Sequence, residues 1–187
     1  MDEEQILAAT VGEPPPTFRE VVLEDYYSEW PLWFERAERE IRAALGDAVL
    51  ELDHVGSTSV PGLAAKPLID IDLVVADTTD EGAYVPQLEG IGYVLRVREP
   101  DWYEHRMLRG QDPPVNLHVF PPECEEVERM LVFRDWLRTN EADRELYERT
   151  KRELAAKEWK YVQNYADAKT EVVEGIVGRA GLPPGRP

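Results

Sequence analysis

Cysteine, histidine and lysine are scarce in this chain, with one, three and five copies among 187 residues. The single Cys124 excludes an internal disulfide and any zinc site built on cysteines. No run of about 18 apolar residues occurs, which excludes a transmembrane helix. The opening residues MDEEQILAAT lack a basic stretch before an apolar one, so no secretory signal is expected. Basic residues are a minority: 21 Lys and Arg face 38 Asp and Glu, for a formal net charge of −17. Duplex nucleic acid needs a broad basic surface, so neither it nor a membrane is an expected partner. A small phosphorylated ligand held by a few local cations or a metal is compatible with this balance. The acidity otherwise reads as solubility, and the expected location is the cytoplasm.

Hydrophobic residues make up 43% of the chain, enough for a packed core in one domain. Residues 1–17, with Gly12 and Pro14-Pro15-Pro16, read as a flexible arm, and 182–187 as a tail. A helix follows the arm, with Ser28 as its cap and Phe34, Ala37, Ile41 and Leu45 at helical spacing before Gly46. Strands are expected at 49–55, 68–75, 93–98, 103–108 and 115–120, with a short helix near 80–89. Three helical stretches follow, at about 123–138, 141–157 and 159–180, with Asn140 capping the second. The order predicts a single α+β (α/β) domain over 18–181: a mixed sheet core at about 47–121 and C-terminal helices.

Asp70 and Asp72 stand two apart in the apolar segment LIDIDLVV, so alternation puts both carboxylates on one face. Two like charges about 6–7 Å apart along a strand are unfavourable without a cation or water between them. Mg²⁺ takes such oxygen ligands, commonly one or two carboxylates plus substrate phosphates. Upstream, Gly56-Ser57 follows a strand directly; a glycine lets backbone approach a phosphate, and a serine adds a hydroxyl donor. The strand VNLHVF carries His118, with Asn116 on the same face. Among the cations, Lys66 sits on the loop returning to the acidic strand, and Lys169 lies on the apolar stripe of the last helix. Snorkelling explains Lys169 as well as phosphate contact does. Arg96, Arg98, Arg106 and Arg109 cluster across the middle strands, either toward an anion or on a solvated face. His105 reads as a surface residue, and Trp102, Trp136 and Trp159 as core or interface.

Gly-Ser followed by Asp-x-Asp resembles the signature of the nucleotidyltransferase superfamily. The run His54-Val55-Gly56-Ser57-Thr58-Ser59-Val60-Pro61-Gly62-Leu63, then Lys66-Pro67 and Asp70-Ile71-Asp72, resembles the GrpB family more specifically. Tyr26, Trp30, Phe133-Arg134-Asp135, Leu137-Arg138 and the stretch from Tyr165 to Lys169-Thr170 extend the resemblance over about residues 20–180. It implies a nucleotidyltransferase-like fold and a transfer of a nucleoside monophosphate from a nucleoside triphosphate to an unidentified acceptor. In that scheme Gly56, Ser57, Thr58, Ser59, Lys66 and Lys169 bind phosphate or nucleotide; His54, just before Gly56-Ser57, is placed to orient either the loop or the site. Asp70, Asp72 and His118 form the catalytic and metal site, for Mg²⁺ or Mn²⁺. Active members of the superfamily usually carry a third carboxylate where this chain has His118. That departure keeps a second reading open: a binding module on the same fold without turnover. A third, a structural protein working through its acidic surface, leaves the intact central block unexplained.

Overall fold

Alternation in LIDIDLVV sends Ile69, Ile71 and Leu73 to one side of a strand and Asp70 and Asp72 to the other, and the architecture follows from that division. The computed structural model describes residues 1–18, 20–183 and 185. Five strands form one mixed sheet: β1 (Glu51–Val55), β2 (Ile69–Val74), β3 (Val94–Glu99), β4 (His105–Gln111) and β5 (Pro114–Phe120). Their order is β1-β2-β5-β4-β3, antiparallel except for the central β2–β5 pair, which is parallel. The seven α-helices among the described residues are α1 (Glu3–Ala9), α2 (Trp30–Leu45), α3 (Val85–Glu89), α4 (Glu125–Thr139), α5 (Glu141–Ala155), α6 (Val162–Asp167) and α7 (Thr170–Arg179). The result is an α+β fold.

One sheet face meets α2, which buries Trp30, Ala37, Ile41 and Leu45 at helical spacing against Leu52, Ile71, Leu108 and Leu117. The other face, bearing Asp70, Asp72 and His118, lies on the side of the C-terminal helices. There Val60 and Leu63 of the β1–β2 loop pack with Leu137, Tyr147 and Ile176 of α4, α5 and α7. Asn140 caps α5, accepting from the Asp143 amide at 3.0 Å.

Several expectations need correction. Residues 1–17 are not a loose arm. Asp2 and Gln5 form a capping box on α1, Ile6 is buried, and Thr10 bridges Val97 of β3. The Gly and Pro residues that suggested an arm begin only after this helix. Positions 184, 186 and 187 of the expected tail lie outside the described residues. Ser28 does not cap α2, whose N-cap is Glu29 without a side-chain bond. The helix near 80–89 is a 3₁₀ turn at Glu81–Ala83 followed by α3, because Pro86 has no N–H with which to continue one helix. The last stretch divides into α6 and α7, where the Lys169 amide bonds back only three residues, to Ala166.

Candidate functional site

The parallel pairing sets Asp70 opposite Asn116 and Asp72 opposite His118. Asn116 Nδ2 donates to Asp70 Oδ1 at 3.0 Å, and Arg109 Nη1 on β4 donates to Asn116 Oδ1 at 3.0 Å. His118 Nε2 lies 3.8 Å from Asp70 Oδ1. Burial acts to raise the Asp70 carboxyl, but His118, Lys66 and Asn116 outweigh it and hold it below the usual carboxylate range. His118 is the reciprocal case: burial acts to lower it, and the Asp70 and Asp72 carboxylates raise it above an ordinary histidine.

Asp72 is the anomaly of the sheet. It is 1% exposed, and neither carboxylate oxygen has a hydrogen-bond partner. Buried carboxylates are normally satisfied, so an orphaned pair of oxygens is costly. Burial pushes the Asp72 carboxyl up to about 7; Asp70, Glu126 and Asp53 add to the rise, while His118 opposes it.

The β1–β2 loop closes over Asp70. Gly56 sits at φ +68°, and a Cβ there would stand 2.7 Å from Asp70 Oδ2, so both its backbone angle and its missing side chain are required. A 3₁₀ turn at Ser57–Ser59 follows. Its hydroxyls divide the work. Ser59 Oγ donates to the Gly56 carbonyl at 2.6 Å, and Thr58 Oγ1 lies 3.0 Å from His54 Nε2. Thr58 and Ser59 are buried and shape the loop, while Ser57 stays half-buried. His54 also stacks on Phe34, with ring centroids 4.9 Å apart.

Three lysines converge on this loop, although the chain is strongly acidic. Lys151 Nζ donates to Ser57 Oγ at 2.9 Å and to the Ala64 carbonyl, and lies 4.8 Å from the Tyr147 ring. Lys66 and Lys169 both approach the Tyr165 ring, at 5.8 and 5.0 Å. Burial, reinforced by Lys169, brings Lys66 down to about 8 and Lys151 to about 7. Lys151 escaped the sequence reading, although Asp143, Tyr147, Lys151 and Leu154 share a helical stripe that could have found it.

The surface reading of His105 is also corrected. The residue is 4% exposed, with Nδ1 2.7 Å from Glu99 Oε2 and Nε2 3.0 Å from His118 Nδ1. The arginine cluster separates: Arg98 and Arg106 both bind Glu81, Arg96 donates to the Glu13 carbonyl, and Arg109 alone joins the site ladder. Trp136 and Trp159 direct their indole N–H groups to Asp143 and the Leu154 carbonyl, as structural residues do. Trp102 lines a cleft of about 270 Å³ with Glu126, Met130, Phe133, Lys169 and Val173.

The donor set bears on the metal. Among the described residues, no three His, Cys, Asp or Glu side chains are arranged to hold an ion by themselves. Two carboxylates, one of them with neither oxygen hydrogen-bonded, are donors of the kind a hard divalent ion takes, but they supply only part of its shell. No helix among the described residues is long and apolar enough to cross a membrane.

The sequence is 53% identical over 178 residues to a UPF0157 protein of Halalkalibacterium halodurans, covering 95% of this chain and 91% of that one. It is 45% identical over 166 residues to a UPF0157 protein of Streptomyces coelicolor, covering 89% and 87%. The crystal structure of conserved protein GrpB from Enterococcus faecalis shares the fold, with a TM-score of 0.73 and 29% identity over 85% of this chain and 96% of that one. The model of the GrpB protein family matches residues 20–179, so the chain belongs to the GrpB family.

Proposed function

We propose that the chain transfers a nucleoside monophosphate from a nucleoside triphosphate to an acceptor hydroxyl, with a divalent ion, Mg²⁺ or Mn²⁺. The observation that carries this reading is one juxtaposition. The Gly56-Ser57 turn touches Asp70, beside the buried and unpartnered oxygens of Asp72. Gly56 and Ser57 receive phosphate, and Lys66, Lys151 and Lys169 supply local positive charge for it. Asp70 and Asp72 would hold the ion, which would supply charge neutralisation at the attacked phosphorus.

A thermal-shift screen of nucleoside triphosphates with and without Mg²⁺ or Mn²⁺ tests this, since ligands that bind only the native state raise Tm by mass action. A metal-dependent rise with at least one triphosphate is expected. No shift with any nucleotide in any metal removes the basis for the proposal.

One observation favours a second reading, a nucleotide-binding module without turnover: no third carboxylate completes the site among the described residues. Pyrophosphate release from a triphosphate that shifts Tm separates the two. Release supports transfer, whereas binding without release supports the module.

A further inference from the structure

Glu99, His105 and His118 form an unbroken polar chain across β3, β4 and β5, ending at the site. Glu99 Oε2 lies 2.7 Å from His105 Nδ1, and an ionised carboxylate can only accept, so Nδ1 carries the proton. His105 is 4% exposed and packed among the Trp102, His118 and Phe120 rings, surroundings that disfavour a charged imidazole, so its ring is neutral with a lone pair on Nε2. That Nε2 lies 3.0 Å from His118 Nδ1, which must therefore be the donor. The neutral His118 ring then has its lone pair on Nε2, the atom 3.8 Å from Asp70 Oδ1, beyond hydrogen-bond reach. The rings are also fixed by packing. His105 stacks on His118 at 5.2 Å and on Phe120 at 4.8 Å, with Trp102 edge-on at 5.3 Å.

We propose that Glu99 and His105 are positioning residues that lock His118 in the Nδ1–H tautomer, so that Nε2 receives the proton of the attacking hydroxyl. This deepens the transferase reading and rests on it. In the step, the acceptor O–H bond breaks and its proton moves to His118 Nε2, giving an imidazolium. The freed oxygen bonds to the α-phosphorus, the bond to the bridging oxygen breaks, and pyrophosphate leaves with that electron pair. A hard divalent ion prefers the oxygens of Asp70, Asp72 and phosphate, which leaves the nitrogen free for the proton.

The test is long-range ¹H–¹⁵N NMR of the histidine rings in the full ¹⁵N-labelled chain, at a pH where all are neutral and with no nucleotide or metal present. His118 and His105 are both expected with the proton on Nδ1. His105→Phe keeps the stacking but removes the acceptor, so His118 should shift to the Nε2–H form. His105→Gln, whose side-chain carbonyl can accept, should restore Nδ1–H. A wild-type His118 protonated on Nε2, or an unchanged tautomer in His105→Phe, overturns the proposal. Should His105→Phe lose its native amide spectrum, Glu99→Leu supplies the comparison: scrambling of the His118 tautomer supports the lock, and no change overturns it. Because nucleotide is absent, a wrong tautomer strikes this inference alone, whereas a silent thermal-shift screen strikes the transferase reading.

Discussion

Asp143 on α5 and Asp72 on β2 are both withdrawn from water, at 7% and 1% exposure, but their surroundings treat them in opposite ways. Asp143 accepts from Trp136 Nε1 at 2.7 Å and from Arg179 Nε and Nη2 at 3.0 and 2.6 Å, so it ties α4, α5 and α7 together. The Arg179 hydrogen bond leads the influences that hold its carboxyl below the usual range. Asp72 has no donor on either oxygen, and its carboxyl is raised. The same residue type is a brace where its lone pairs are answered and a candidate ligand where they are not. Burial alone does not separate these roles; the partner list does.

The largest effect expected from breaking this contrast is at Asp143. Asp143→Ala leaves the Trp136 N–H and Arg179 without their acceptor and should cost about 2–3 kcal/mol in urea unfolding. Nucleotide-induced Tm shifts should survive. A loss below about 0.5 kcal/mol would mean that the brace is decorative.

Asp72→Asn should act in the other direction. Burial pushes the folded carboxyl up to about 7 from the ordinary 3.8, so the folded state holds the proton more tightly. The stability from this group is complete below about pH 4 and is lost as pH rises through about 7. Removing the charge should make the variant gain stability over wild type as pH rises from 4 to 8, read from urea midpoints at the two pH values. The metal-dependent part of nucleotide binding should disappear. A large stability loss with binding intact would reassign Asp72 to a structural role.

Lys151→Met is smaller and sharpens the same point with the opposite charge. The folded amine titrates at about 7 against 10.5, so the unfolded chain holds its proton more tightly and wild-type stability rises between those pH values. The substitution should flatten that rise, read from urea midpoints at pH 7 and 9.5. An unchanged slope would place the Lys151 amine in water. Least of all, Arg42→Ala removes an exposed i,i+4 pair with Glu38 and should change stability by under about 0.5 kcal/mol.

The legible part of the site is the part set by local periodicity. Alternation alone places Asp70 and Asp72 on one face, and it pairs Asn116 with His118 on another strand. The opposition of those two strands depends on a parallel register that no single segment encodes. His105 shows the limit: its burial comes from Glu99, Trp102 and Phe120, which meet only when three strands assemble. Lys151 lies 94 residues from its partner Ser57, so its role is visible only once α5 packs on the loop. The N-terminal capping box was readable, but the proline-rich stretch after it carried the opposite signal.

The parallel seam between β2 and β5 has a kinetic consequence. The hairpins β3–β4 and β4–β5 can close through neighbours in sequence, but Asp70 and Asn116 are 46 residues apart. Loop closure of that length is a late entropic barrier, because its ordering cost precedes its contacts. A half-folded chain with an intact meander would therefore contain His118, Asn116 and Arg109 in place, with no acidic strand beside them. Asp70 and Asp72 would meet Asn116 and His118 only in the step that completes the sheet.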